Sequence, residues 1–255
     1  MRAAFTSRML SARTRVTSQL APRSQPSYSF TRDISAGWST FQRYAAKVRE
    51  LQYPSGVGEQ TGIWILLAQQ CCGAALLPNL RRLDATGVSH ADIPTLLLLL
   101  SPTLCHVRIR FQKEHFQDPS YHNFWTAHLF HSIAVKTAPN LTELEIGGNF
   151  PLLSTHLYAL DGCRRLRTLH ISPSRASIKI SAAAISALSC LQDLQLLILP
   201  ADFDDSDTNR WFHTEPRFSS LTTLCLTGSA KEIVRFFAEA RPPVLRTLRL
   251  SFKAE

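Results

Sequence analysis

The sequence is poor in the residues on which most catalytic and redox sites depend. Only 10 of its 255 residues are glycine, and no G-x-S-x-G, P-loop or dinucleotide-binding glycine pattern occurs. That leaves an α/β-hydrolase elbow or a phosphate cradle without support. No C-x-x-C pair occurs among the six cysteines, Cys71, Cys72, Cys105, Cys163, Cys190 and Cys225. Their spacing suits neither a zinc site nor a disulfide framework, so free buried thiols in a reducing compartment are expected. Long apolar runs are missing too. Ile63–Ala68 and Leu96–Leu100 fall far short of the roughly 20 residues that cross a bilayer, so no membrane partner is expected.

Acidic residues are absent before Asp33, and six Arg precede it (Arg2, Arg8, Arg13, Arg15, Arg23 and Arg32). Residues 1–35 therefore carry a net charge of +5 out of the chain's formal +9, while the rest of the chain is nearly balanced. A basic stripe on the folded part, and with it a nucleic-acid partner, is not expected. On a helix Phe5, Met9, Ala12, Val16 and Leu20 share one side. This segment resembles a mitochondrial targeting peptide, the alternatives being a basic disordered tail or a misplaced start.

What the chain does have is repetition. Apolar residues recur at offsets zero, three, six and eight, beginning Ala45-Val48-Leu51-Tyr53, Leu77-Leu80-Leu83-Ala85 and Ser101-Leu104-Val107-Ile109. Ala138-Leu141-Leu144-Ile146, Cys163-Leu166-Leu169-Ile171 and Leu191-Leu194-Leu197-Leu199 continue the pattern. Phe218-Leu221-Leu224-Leu226 and Pro242-Leu245-Leu248-Leu250 complete it. Between third positions the intervals are 32, 24, 37, 25, 28, 27 and 24 residues, mostly within the range of leucine-rich repeats. Each unit predicts a short strand followed by a return path. Helices are expected at Thr61–Cys71, at Asp92–Leu100 with Pro94 in the first turn, at His122–Lys136, at Ser181–Leu188 and at Ser229–Ala240. In the last, Ser229 and Glu232 form a capping-box pair.

The expected fold is therefore α/β: a leucine-rich-repeat-like right-handed solenoid of about eight coils. A parallel sheet lines its concave face, with helices and loops on the convex face. Residues 1–36 form a flexible Arg/Ser-rich segment, and 37–255 the repeat domain. The asparagine usual three residues past the last strand leucine stands only at Asn149, with Ser174, Asp202 and Ser229 elsewhere. No polar capping unit follows Leu250.

No constellation points to an enzyme, a metal or a cofactor. His122, His128 and His131 share a predicted helix but lack the ligand spacing of a zinc site. Asp202, Asp204, Asp205 and Asp207 imitate the opening of an EF-hand, without glycine at the sixth position and with His213 at the twelfth. The stretch Asp202–Pro216 is expected to be a solvated acidic loop. Gly147-Gly148 suggests a turn. Asn140-Leu141-Thr142 has the letters of a glycosylation acceptor, yet Leu141 is a core position.

Strand residues flanking the buried pair turn outward, and these form the candidate interface for a protein partner: Arg82, Asp84, His106, Arg108, Arg110, Glu143, Glu145, His170, Leu196, Ile198 and Arg249. Arg108 and Arg110 lie one strand from Glu143 and Glu145, close enough to satisfy one another. Leu196 and Ile198 are expected to be exposed aliphatics of a contact patch. Arg108→Glu with Ile198→Asp is then expected to abolish binding at little cost in stability.

STFQRYAAKVRELQY (Ser39–Tyr53) and LAQQCCGAALLPNLRRLDATG (Leu67–Gly87), with Trp38-Phe41-Tyr44-Val48-Leu51 opening the domain, resemble the leucine-rich-repeat half of fungal F-box proteins. The resemblance covers residues 38–255. It implies a non-enzymatic, cytoplasmic or nuclear module that recognises substrates for a cullin-RING ubiquitin ligase, with a mitochondrial repeat scaffold or a truncated gene product as alternatives. An F-box opens with Leu-Pro and is rich in Leu and Ile. Residues 1–37 contain nothing like it, which counts against docking to the cullin-RING adaptor.

Overall fold

The computed structural model describes residues 34–53, 61–112, 119–173, 179–203 and 218–252. Helix α1 (Ile34–Ala45) leads into strand β1 (Glu50–Tyr53) and helix α2 (Thr61–Gln70). Then follow β2 (Arg82–Val88), α3 (Ile93–Leu99), β3 (His106–Phe111), α4 (Pro119–Thr137), β4 (Glu143–Gly148) and α5 (Ser154–Tyr158). The chain continues through β5 (Thr168–Pro173), β6 (Lys179–Ile180), α6 (Ala182–Ser189), β7 (Leu196–Phe203), β8 (Thr223–Gly228), α7 (Ala230–Ala240) and β9 (Thr247–Phe252). This is an α/β protein built on one parallel sheet.

Sheet neighbours are also chain neighbours: β1-β2-β3-β4-β5-β7-β8-β9, every pair parallel, with β6 joining β7 off this path. The register follows the leucine spacing residue for residue. Leu51, Leu83, Val107, Leu144, Leu169, Leu197, Leu224 and Leu248 each stand opposite the next across the sheet. Ahead of the strands, one backbone contact repeats at every junction. Arg81 N–H donates to Arg49 C=O, Cys105 to Arg81, Thr142 to Cys105, Arg167 to Thr142, Gln195 to Arg167, Thr222 to Gln195 and Arg246 to Thr222, each at 2.8 or 2.9 Å. These bonds satisfy the turn backbone that each unit would otherwise leave unpaired beside the core.

Side chains reinforce the rung in the first half. Asn79 donates to Ala46 C=O at 2.8 Å, Thr103 to Pro78 C=O at 2.9 Å and Asn140 to Pro102 C=O at 2.9 Å. All three donors occupy the same place in their units, and so do all three acceptors. The Asn140 amide is thus committed to the neighbouring turn, and Leu141 beside it is buried.

One face of the sheet and the inner faces of the helices enclose a continuous core. The four patterned positions of every unit from Ala45 to Leu226 are buried, except the half-buried Ala138. The last unit is open: Pro242 and Leu245 are half-buried and Leu248 and Leu250 exposed. Helix ends follow their caps. Ser181 accepts from Ala184 N–H at the start of α6, and Ser229 and Glu232 exchange bonds at the start of α7.

Several expectations change. The helix starting at Ile34 begins three residues ahead of the expected boundary at 37, and residues 1–33, with the targeting-like segment, lie outside the described residues. Asp202 is not in a loop: β7 runs through Phe203 because Lys179 and Ile180 pair with Asp202 and Phe203. Asp204, Asp205, Asp207, His213 and Ser174 lie outside the described residues. Helix α5 had no periodic signal, being five residues long.

Candidate functional site

The outward residues of β2 to β7 form a shallow depression of about 240 Å³ on the sheet face opposite the core. Alternation places them there: in each strand the residues between the buried leucines turn to this face. Arg82, His106, Arg108, Glu143, Glu145, His170, Leu196 and Ile198 border it, together with Thr168, which the expected set omitted. Asp84 and Arg110 join it through ion pairs. Arg249 does not: it lies on β9, beyond β8 from the depression.

Glu145 is the electrostatic centre. Arg108 Nε donates to its Oε2 at 2.6 Å, and Arg110 donates to its Oε1 through Nη2 at 2.6 Å and Nε at 3.1 Å. Arg108 also reaches Asp84 Oδ2 at 3.5 Å. Burial alone would raise the Glu145 pKa, but the hydrogen bonds from Arg110 and Arg108 and their positive charges outweigh it and hold the carboxyl below its ordinary value. On the Arg108 side, the Glu145 bond and both carboxylates raise the guanidinium pKa against the opposing effect of burial. His170 Nδ1 is 3.9 Å from Glu145 Oε1. Its burial, with the two Arg charges, lowers its pKa despite the neighbouring carboxylate.

The expected cross-strand attraction thus takes a particular form. Glu145 takes both arginines, while Glu143 meets His106, whose Nδ1 is 2.9 Å from Glu143 Oε2. Because Arg108 spans two carboxylates, reversing it would gather three acids, so the expectation that Arg108→Glu spares stability is corrected. Leu196 and Ile198 are half-buried rather than exposed. Gly147 and Pro200, at outward positions, are buried. A side chain at Gly147 would press on Ser172 Oγ, and one at Gly148, where φ is +92°, would overlap the Phe111 carbonyl. The glycine pair therefore serves close approach of β4 to its neighbours.

The remaining chemistry-bearing residues are dispersed. His128 and His131 are exposed on α4, and His128 stacks on Phe124. No group of three metal-ligating side chains occurs among the described residues. All six cysteines are free, but the expectation that they are buried holds only for Cys163: Cys72 and Cys190 are exposed, and Cys71, Cys105 and Cys225 are half-buried. Among the described residues, no helix is long and apolar enough to cross a membrane. His156, unnoticed in the sequence, is buried against Phe130, accepts the Leu153 N–H on Nδ1 at 3.1 Å, and is pushed down to about 4 by burial. That makes it a structural imidazole. No protein-family model matches the chain, and no curated protein matches it.

Proposed function

We propose that this chain is a non-enzymatic leucine-rich-repeat solenoid of about eight coils that binds a protein partner along the outward, concave face of its sheet. The repeated rung, the matched register and the buried pattern positions support that architecture. One observation carries the binding role: the depression sets a preorganised Arg108–Glu145–Arg110 cluster beside half-buried Leu196 and Ile198. Fixed charges next to an apolar floor, already desolvated in part, are what a protein interface needs, because little ordering cost remains on binding. By its resemblance to the recognition half of fungal F-box proteins, the chain would select substrates for a cullin-RING ubiquitin ligase.

The experiment is affinity purification of the tagged full chain and of its Ile198→Asp variant from the same cells. Capture of a protein by the unmutated chain and its loss with Ile198→Asp is the expected result, and recovery of cullin-RING adaptor and cullin subunits with both forms would support the ligase role despite the missing F-box. Recovery of the same proteins by both forms would overturn the concave-face assignment. Absence of ligase subunits would remove the ligase role and leave a free-standing scaffold.

A further inference from the structure

The near balance of charge beyond residue 35 conceals a separation of sign. Exposed arginines gather where the strands begin: Arg49, Arg81 and Arg82 at the starts of β1 and β2, and Arg164, Arg165 and Arg167 just ahead of β5. Over the turns and first strand positions from β1 to β5 the acids are Glu50, Glu143 and Asp161. Among the described residues, none of the six arginines lies within ion-pair distance of a carboxylate. The repeated backbone contact fixes how far apart the two clusters stand. It runs from Arg81 through Cys105 and Thr142 to Arg167, and neighbouring strands lie about 4.8 Å apart, so the clusters are about 14 Å from each other. The residues one place further on, Arg82, His106, Glu143, Thr168 and Leu196, border the depression. The arginines are therefore its basic rim.

Guanidinium groups present paired donors that match carboxylates and phosphates alike, so what lies between the clusters decides which of the two fits. Glu143 stands there, on β4, with 51% of its side chain exposed. A nucleic acid carries a charge on every phosphate and would set one over Glu143. A polypeptide can place an uncharged or basic residue at that point, and four residues of an extended chain cover about 13 Å, the distance between the clusters. We infer that the rim receives an acidic segment of the protein partner, extended across the strand starts, with acidic residues about four positions apart and a neutral or basic residue over Glu143. The chain's own residues 1–33 do not suit this place, since they hold six arginines and one acid. Internal stretches outside the described residues leave the body at the other end of the strands, after Tyr53, Gln112, Pro173 and Phe203. The inference rests on the concave-face reading proposed above and adds the chemistry of what binds there.

Selection from a phage-displayed library of random dodecapeptides on the full chain tests it. Enriched peptides should carry two acids about four residues apart, and replacing the six arginines of residues 1–33 by glutamine should leave that pattern unchanged. For the best peptide, Arg81→Glu with Arg165→Glu should weaken binding about tenfold or more. The circular-dichroism spectrum should not change, because both side chains are exposed. The milder Arg81→Gln with Arg165→Gln should weaken binding in the same direction. A selection that yields no such acidic peptides, or peptides that bind the charge-reversed chain as tightly, would overturn the inference. So would tighter binding of a dodecathymidylate that the same reversal abolishes, which would assign the rim to nucleic acid. Ile198→Asp separates the two readings: acidic peptides that keep full affinity for it overturn the apolar floor and leave the rim standing.

Discussion

Arg108 Nε donates to Glu145 Oε2 at 2.6 Å across the β3–β4 pair, and the Glu145 side chain retains only 16% of its exposure. Removing the carboxylate leaves two guanidinium groups facing each other over the sheet. Glu145→Ala should cost about 1–2 kcal/mol, the range for a charge-assisted bond with one partner half in solvent. The urea midpoint measures it. Because the folded-state pKa of Glu145 is lowered, its contribution is full above the ordinary carboxylate range and fades as pH falls through the folded value. An unchanged midpoint at neutral pH would show the cluster to be energetically idle.

Equivalent leucines should differ according to what lies beyond them. Leu144 is fully buried and Leu248, at the same position of the last unit, is 45% exposed. Leu144→Ala should cost about 2–5 kcal/mol, and Leu248→Ala about 1 kcal/mol in the monomer. Denaturant unfolding at a concentration where the chain is monomeric makes the comparison. Equal costs would mean that Leu248 is covered in solution.

His156 supplies a pH dependence of definite sign. Its folded pKa, about 4, lies below the ordinary imidazole value of 6.5, so the unfolded chain binds the proton more readily. Stability is highest above pH 6.5 and declines as pH falls towards 4, by about 3 kcal/mol in all. His156→Phe, which can still stack on Phe130 but cannot titrate, should flatten this part of the profile in urea melts at a series of pH values. A wild-type profile that is flat between 6.5 and 4 would contradict the burial of the ring.

The thiols should divide by burial. Cys163 is fully buried and pushed up to about 11, whereas Cys72 and Cys190 are exposed. Iodoacetamide at mildly alkaline pH should label Cys72 and Cys190 first and Cys163 only on unfolding, since the thiolate is the reactive form. Peptide mass spectrometry reads the order directly.

Much of this was legible before folding. The spacing of Leu83, Val107 and Leu144 determines which residues face the core, and because side chains alternate along a strand it also determines the register between neighbouring strands. The caps at Ser181 and Ser229 are local, and their residues announce them. Helix α5 and the β6–β7 pairing are not local: a five-residue helix has no full period, and Lys179 meets Asp202 only through the sheet.

By itself the sequence determined the repeating unit, the buried positions and the absence of catalytic patterns, because these depend on periods of a few residues. Tertiary structure alone decided that Glu145 rather than Glu143 holds both arginines and that Leu196 and Ile198 are half-buried. Each of those outcomes depends on what the neighbouring unit places within a few ångströms.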